Sequence, residues 1–449
     1  MRALIVCLGF TGLILASLGG PAAGQGRAPS LVRDAEIERI IRDYATPIFT
    51  AAGLEPDAVR IHLVNDPALN AFVAGGQRLF VHTGLLLRAE TPNQVIGVIA
   101  HEAGHISGGH LARLQDELRN AEAKSIMAFV LGTAAALATG DSRAAGAVIV
   151  AGQDVAIKDL LRYTRQQESA ADQAGMRFLD TSGQSSRGLL EFFRILQTNE
   201  ALTGRGGNPY LMTHPLTSDR ITTVSNHVAI SKWSDVPMQR DQQARHTRMR
   251  AKIAGFLASY DDALRLFPEA DNSLPARYAR SIAYYRLADL KRALPLVDSL
   301  IAEEPDNPWF HELRGQMLFE NGRVAESLPS AQKAVDLAPD EGLLRLGLAK
   351  AQVEMGDEAL LEPAKRNLLT AQGSEGDAPE LWRLLAVVHG RLGETGMTAL
   401  AQAEYAMRRG ERSLARSHAK RAEGLLPVGS PGWLRAQDLS RDATRLLER

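Results

Sequence analysis

Two histidines with a glutamate beside the first are the strongest chemical signal in the sequence. His101, Glu102 and His105 lie in the segment His-Glu-Ala-Gly-His, directly after an apolar run over residues 94–100. On a helix, residues four apart project from the same face, so both imidazoles reach one metal ion. Glu102 is rotated by about 100° from His101, which places it beside the ion. There it accepts a proton from activated water and returns it to a leaving amine, the chemistry of metal-dependent peptide hydrolysis.

A catalytic zinc site also needs a third protein ligand and an open position for water. His110 is one candidate, but on a continuing helix it points about 140° away from His105 and is expected to be structural or to support a ligand. Glu168, on a later predicted helix, is the better candidate and would complete a His2Glu site for one Zn²⁺ per chain. Asp172 follows it by four residues on the same face and would orient a ligand histidine. A solvated helix face is the alternative for Glu168 and Asp172.

The elements that must position these residues follow from the apolar pattern. Residues 37–49 have helical periodicity, and residues 60–64 have the composition of a strand. Residues 71–73 and 79–82 flank a glycine turn, which predicts a hairpin. Further helices are predicted over residues 91–118, around residues 125–138 and over residues 155–179. This first half is therefore predicted to be an α+β domain, mostly helical with a small sheet.

The small, apolar segment at residues 125–138 has two interpretations. It is too short to span a bilayer comfortably, and the polar residues 140–143 interrupt it before a second apolar stretch. One interpretation is a buried helix or helical hairpin. The other is peripheral contact with a membrane surface.

The second half contains a repeat. Pro305 and Pro339 are 34 residues apart, as are Gly322 and Gly356, and a related glycine, Gly393, follows after 37 residues. This spacing in an almost wholly helical region resembles the tetratricopeptide repeat, with about four units. Each unit is a helix pair that must stack on its neighbours to bury its apolar face. Such arrays bind peptides or protein surfaces; the alternative is that these helices only support the first half.

The ends and composition of the chain limit the classes of function. The chain has 449 residues and a formal net charge of −1, so it has no basic excess for nucleic-acid binding. Residues 1–24 resemble a signal peptide cleaved near Gly24, with a retained membrane anchor as the alternative. Cys7, the one cysteine, lies within this segment. The mature chain is then expected to be periplasmic, without a disulfide or a thiol nucleophile.

These motifs together resemble the gluzincin peptidases related to HtpX and the CAAX prenyl protease. The signal peptide and repeats are similar to the periplasmic branch of β-barrel assembly-enhancing proteases. The resemblance implies an α+β gluzincin metalloprotease domain over residues 25–240, followed by an all-α tetratricopeptide-repeat solenoid over residues 241–449. It implies His101, His105 and Glu168 as zinc ligands and Glu102 as the catalytic base. It also implies that a strand beginning Asn70-Ala71-Phe72 borders the cleft, where a substrate chain pairs with its edge.

His214 and Arg220 acquire roles only through this resemblance. The residues around His214, Thr213-His214-Pro215, match the family pattern, although unaided reasoning makes His214 a loop histidine. The resemblance implies that His214 either polarises the scissile carbonyl or occupies the open metal position as a latency device. Arg220 would anchor that loop or the wall of the active site.

Two functions from different classes are expected from these features. The first is a periplasmic zinc endopeptidase in protein quality control, which degrades misassembled outer-membrane β-barrel proteins and assists their assembly. Its partners would be unfolded or misassembled proteins and, through the repeats, the β-barrel assembly machinery. The second is a chaperone or assembly scaffold that acts through the repeats, with latent proteolysis.

Overall fold

The computed structural model describes residues 30–113, 116–117, 119, 163–203, 210–211 and 214–448. The predicted signal peptide at residues 1–24 and the apolar segment at residues 125–138 lie outside these ranges. The strands are β1 (Ser30–Val32), β2 (Arg60–Asn65), β3 (Ala71–Ala74) and β4 (Arg78–His82). The helices of the first half are α1 (Ala35–Ala51), α2 (Thr83–Arg88), α3 (Pro92–Ser107), α4 (163–181), α5 (Arg187–Thr203) and α6 (Ser218–Ile230).

The second half is built from helices alone within the described residues. They are α7 (Arg240–Leu257), α8 (Tyr260–Leu266), α9 (Leu274–Arg286), α10 (Leu290–Glu303), α11 (Pro308–Glu320), α12 (Val324–Leu337), α13 (Gly342–Glu354), α14 (Leu361–Glu375), α15 (Pro379–Arg391), α16 (Thr395–Arg408), α17 (Arg412–Leu425) and α18 (Pro431–Leu447). The first half is thus mostly helical with a small sheet, as predicted. None of the described helices is both long and apolar enough to cross a membrane.

The sheet presents one strand edge to the helix that carries the histidine pair. Its strand order is β1-β2-β4-β3, with β2 and β4 parallel and the other two pairs antiparallel. Alternate side chains such as Leu79 and Val81 enter the core of the first half, where α1 and α3 contribute Ile41 and Ile99. β3 therefore lies at the edge of the described sheet and packs beside α3.

The helix predicted over residues 91–118 is wrong in one respect. α3 ends at Ser107, and a turn at Gly108 and Gly109 separates it from a helical segment that begins at His110. Gly109 has a φ of 62°, in the left-handed region that favours glycine. The chain therefore changes direction just after His105, which alters where His110 points.

The glycines that revealed the repeat share one backbone conformation. Gly322, Gly356 and Gly393 have φ values of 76°, 73° and 77°. Each is the second residue after a helix, at the ends of α11, α13 and α15, where a left-handed glycine commonly terminates a helix. From α11 to α18, each helix packs against the next. The spacing in the sequence thus marks equivalent turns between successive helices.

A buried ionic cluster joins α1 to the helices of the second half. Glu36, fully buried on α1, accepts hydrogen bonds from Arg248 Nε at 2.6 Å and from the Tyr278 hydroxyl at 2.9 Å. Lys252 Nζ lies 2.8 Å from Asp34 and 3.4 Å from Glu36. Because α7 and α9 supply these partners, the charges tie the two halves of the chain together.

Candidate metal centre and active site

The histidine helix and the glutamate helix approach closely because small residues face each other. A Cβ added at Gly104 would lie 2.6 Å from the carbonyl oxygen of Ala171 on α4. Gly175 on α4 is correspondingly close to Ala100 on α3, with a Cβ position 3.1 Å from its backbone. The glycine between the two histidines therefore allows α4 to bring its acidic side chains to the histidine face of α3.

Four buried side chains converge at this contact. His101, His105, Glu168 and His214 each offer one donor atom, and these atoms all lie within 4.8 Å of one another. The Nε2 atoms of the histidine pair are 3.1 Å apart, and they lie 3.4 Å and 3.3 Å from the oxygens of Glu168. His214 Nδ1 lies 3.1 Å from Glu168 and 3.4 Å from His101.

These separations fit a tetrahedral metal ion. Ligand atoms about 2.0–2.1 Å from zinc lie roughly 3.3 Å from one another in a tetrahedral arrangement. The five contacts given above, which involve both oxygens of Glu168, are 3.1–3.4 Å long and lie close to that value, while the four donor atoms as a set lie within 4.8 Å of one another. A carboxylate and imidazoles are ordinary zinc ligands, so the donor set and its spacing both suit this ion.

Glu102 lies beside the donor cluster in an environment that leaves its carboxylate unsatisfied. It is fully buried, and neither of its oxygens makes a hydrogen bond to a described residue. Burial raises the pKa of this carboxyl, while His214, His101 and, to a smaller extent, the backbone of Val73 on β3 act in the opposite direction. The nearest imidazole nitrogen, His214 Nε2, is 3.6 Å from Oε1. A buried carboxylate without hydrogen-bond partners next to these four donor side chains is suited to hold a water or a substrate group.

Asp172 and Arg220 link α3 and α4 to the segment that carries His214. Asp172 Oδ1 accepts from His101 Nδ1 at 2.8 Å, which directs the other ring nitrogen toward the cluster. Arg220, on α6, donates to both oxygens of Asp172 at 2.6 and 2.9 Å. It also lies 2.9 Å from Glu168 and donates to the carbonyl oxygen of Pro215 at 2.9 Å. One guanidinium thus connects the acidic residues of α4 to the segment that carries His214.

The electrostatics of the cluster distinguish its two α3 histidines. Burial lowers the pKa of His101, but hydrogen bonds to Asp172 and Glu168 outweigh it and raise the pKa to about 9. Burial dominates at His105 and lowers its pKa to about 3. Although burial opposes ionisation of Glu168, the surrounding imidazoles hold the pKa of its carboxyl below the usual range. The cluster therefore favours an ionised glutamate next to a neutral His105.

His110 and Tyr210 pack behind the cluster, and only one of them had a signal in the sequence. The turn after α3 brings His110 back, so that its Nδ1 lies 3.0 Å from His105 Nδ1 instead of pointing away as predicted. It contacts a candidate ligand and lies outside the donor set. The fully buried Tyr210 stacks on His214 with ring centroids 4.6 Å apart, and its carbonyl oxygen accepts from His214 N–H at 2.7 Å. No spacing or motif distinguishes Tyr210 in the sequence.

The strand that begins after Asn70 lies at the described edge of the sheet. The N–H of His82 donates to the Asn70 carbonyl at 3.0 Å, which makes 70–82, 72–80 and 74–78 the hydrogen-bonded pairs of β3 and β4. The backbone groups of Ala71 and Val73 consequently point away from β4. They face the side of the strand on which Glu102 lies. Ala71 and Phe72 are thus on the strand that packs beside α3, and Asn70 directly precedes that strand.

The helix pair, the four donors and the adjacent carboxylate are the arrangement that a metallopeptidase needs. Residues 32–228 match the sequence model of Peptidase family M48, so the first half of the chain carries a domain of this family. This confirms the family resemblance, and the family implies both a bound metal and protein substrates.

Relatives extend the similarity into the second half. The chain is 24% identical over 386 residues to the "Beta-barrel assembly-enhancing protease" of Yersinia pestis, an alignment that covers 83% of this chain and 76% of that one. It is 30% identical over 254 residues to a relative from Vibrio cholerae that is also named as a beta-barrel assembly-enhancing protease. This alignment covers 55% of this chain and 51% of the relative. The chain thus matches about half the length of that relative. It is also 26% identical over 200 residues to the human "Tetratricopeptide repeat protein 13", covering 42% of this chain and 23% of that protein.

Proposed function

We propose that the chain is a periplasmic zinc endopeptidase of protein quality control, which degrades misassembled outer-membrane β-barrel proteins and assists their assembly. The observation that carries the proposal is the convergence of four donor atoms beside the buried, unpartnered carboxylate of Glu102. The names of the Yersinia pestis and Vibrio cholerae relatives support the choice of substrate class.

In this proposal His101, His105 and Glu168 hold one zinc ion. When bound, the ion supplies Lewis acidity, which lowers the pKa of water and polarises the scissile carbonyl. Glu102 accepts a proton from the attacking water as its oxygen bonds to the carbonyl carbon. It then delivers that proton to the amine nitrogen as the C–N bond breaks, and a second proton from the same water completes the two products. Asp172 holds the ring orientation of His101 throughout.

His214 has two roles compatible with its position. As a fourth donor it would close the position that water needs, which makes the resting enzyme latent. If it moved away from Glu168, it could instead hydrogen-bond the developing oxyanion. Its 3.1 Å distance from Glu168 favours the first role in the conformation described, and Arg220 would then anchor the loop that carries it.

Substrate would bind as an extended chain along β3. The backbone groups of Ala71 and Val73 point away from β4, on the side where Glu102 lies. Because these residues are only 1% and 7% exposed, substrate pairing would require this edge to open. Misassembled β-barrels expose strands with unpaired edges, and such strands are extended chains that could pair with β3. This supports β-barrel proteins as clients.

The helices over residues 241–449 would form a tetratricopeptide-repeat solenoid that recruits clients or the β-barrel assembly machinery. The equivalent turns at Gly322, Gly356 and Gly393 and the similarity to a tetratricopeptide repeat protein support this assignment.

Export would depend on residues 1–24 as a cleaved signal peptide, and residues 125–138 would supply any peripheral membrane contact. A second candidate, a scaffold with latent proteolysis, is favoured by the position of His214 among the donors.

Metal analysis and a cleavage assay together test this proposal. We expect about one zinc per chain in the wild-type protein and in Glu102→Gln, and a strongly reduced content in Glu168→Gln. Wild type should cleave an unfolded β-barrel protein, whereas Glu102→Gln should not; Glu90→Gln, at an exposed position outside the cluster, is the matched control. If the wild-type protein holds no zinc after zinc is supplied, the proposed zinc endopeptidase activity is refuted. A Glu102→Gln protein that still supports barrel assembly in cells would favour the scaffold.

A further inference from the structure

The outer face of the sheet carries a stack of rings that runs across three strands toward the edge. His62 on β2 stacks on Phe80 of β4, with centroids 4.9 Å apart and planes inclined by 23°. Phe80 stacks in turn on Phe72 of β3, again at 4.9 Å, with planes inclined by only 11°. Because β3 is the last strand of the described sheet, the stack ends at the edge where Phe72 lies.

A groove of about 980 Å³ lies over this face, and Phe72 and Phe80 line it. Two buried polar side chains, Asn70 and His82, also line it, each only 6% exposed. Asn70 Oδ1 and His82 Nδ1 have no hydrogen-bond partner among the described residues. Polar atoms that are buried without partners are uncommon and point to a group that the groove receives.

The register of β3 connects this groove to the cleavage site. The backbone groups of Ala71 and Val73 point away from β4, toward the edge of the described sheet, while their side chains enter the core. Both residues are buried, at 1% and 7% exposed, so a chain pairs along this edge only when the edge opens. Side chains alternate along a strand, so a chain paired with this edge directs every second side chain to the face that carries Phe72. Because β3 packs beside α3, which carries Glu102, the paired chain passes this carboxylate and the groove together.

We propose that Phe72, with Phe80 behind it, forms a specificity subsite that selects an aromatic side chain at the substrate residue opposite Phe72. The inference rests on the proposed peptidase function and deepens it by naming a sequence preference. An aromatic ring at that position extends the parallel stack by one member, and directly opposed aromatic side chains stabilise strand pairing. Asn70 Oδ1 accepts a hydrogen bond from a donor of the bound chain.

A double-mutant cycle that combines enzyme variants with peptide variants tests the subsite. A cleavable peptide is prepared with phenylalanine or alanine at each position in turn, and kcat/KM is measured. With wild type, we expect one position at which phenylalanine raises kcat/KM roughly two- to five-fold over alanine. In Phe72→Thr, which keeps a residue favourable to strands, this ratio should fall to about 1. His62→Thr, which shortens the same stack two strands from the edge, is the matched control and should leave the ratio unchanged.

The outcomes separate this inference from the proposed function. Cleavage without a positional preference, or a preference that survives in Phe72→Thr or disappears equally in His62→Thr, overturns the subsite and leaves the peptidase intact. Absence of cleavage in both wild type and His214→Ala refutes the peptidase activity; the same peptides are then titrated into Glu102→Gln by fluorescence anisotropy. The preference is expected in Kd, and equal binding of all peptides overturns the subsite. If Phe72→Thr does not fold, Phe72→Leu keeps an apolar side chain without a ring and should abolish the aromatic preference.

Discussion

Replacing Asp172 with asparagine should weaken metal binding without removing any metal ligand. In the wild type, Oδ1 accepts from His101 Nδ1 at 2.8 Å and from Arg220 at 2.9 Å, while Oδ2 accepts from Arg220 Nε at 2.6 Å. The amide of Asp172→Asn has one oxygen, which serves best at the Oδ1 position. Its NH2 group then opposes the Nε–H of Arg220, donor against donor.

Two effects follow from this exchange. One charge-assisted hydrogen bond is lost, which costs about 1.5–3 kcal/mol of folding free energy. The negative charge that raises the pKa of His101 also disappears, so the ring becomes a weaker base and a weaker ligand. Loss of such a supporting carboxylate typically lowers metal affinity by about 10–100-fold, or roughly 1.4–2.7 kcal/mol of binding free energy.

The assay is competition for Zn²⁺ with a chromophoric chelator of known affinity near pH 9, where the proton that Asp172 helps to hold on His101 competes less with the ion. Asp180→Asn is the matched control, since Asp180 lies two turns further along α4, is 34% exposed at its side chain and hydrogen-bonds Ser231 at 2.7 Å. We expect its Kd for zinc to remain within about twofold of wild type. If Asp172→Asn also binds zinc with wild-type affinity while the protein remains folded, the assignment of Asp172 as an orienting residue is wrong.

Three further predictions concern pH, the junction and latency. In the metal-free protein the pKa of His101 is raised to about 9, so it stabilises the fold fully below pH 6.5 and progressively less as pH rises through 9. Zinc must displace that proton, so affinity should rise about tenfold per pH unit from 7 to 9, with one proton released in calorimetry at pH 7. Glu36→Ala leaves the charges of Arg248 and Lys252 buried without their shared carboxylate, and should lower the free energy of unfolding by about 3–5 kcal/mol in urea titrations. His214→Ala should increase hydrolysis of a short fluorogenic peptide if the imidazole closes the metal site. A decrease in kcat of about 10²–10³-fold would instead show that His214 stabilises the oxyanion.

Residues that act through local spacing were the most accessible to sequence reasoning. His101 and His105 share a helix face because they are four residues apart, and Glu102 is adjacent in the chain. Glu168 and Asp172 share a face for the same reason. Their distance from the histidine pair along the chain meant that only chemical need and family resemblance could connect them. The roles assigned to these residues stay predictions for the experiments above.

Contacts that depend on the direction of the chain between elements were not accessible. The left-handed turn at Gly109 redirects His110 onto His105, contrary to the expectation from a continuous helix. Tyr210 stacks on His214 only four residues later in the chain, but the fold alone brings this pair to the cluster. Nor does any local pattern indicate that Glu36 meets Arg248, since these side chains come from helices more than 200 residues apart in the sequence.

The amino-acid sequence alone therefore determined the class of chemistry, the helical or extended character of the main described segments and the spacing of the equivalent glycine turns in the second half. Each of these depends on residues within one or two turns, where helix and strand periodicity set the geometry. The tertiary structure decided which donors share one centre, which strand forms the described edge beside it and how the two halves are joined. Those outcomes depend on close approach between distant segments, as at Gly104 against Ala171, where the absence of a side chain allows two helices to meet.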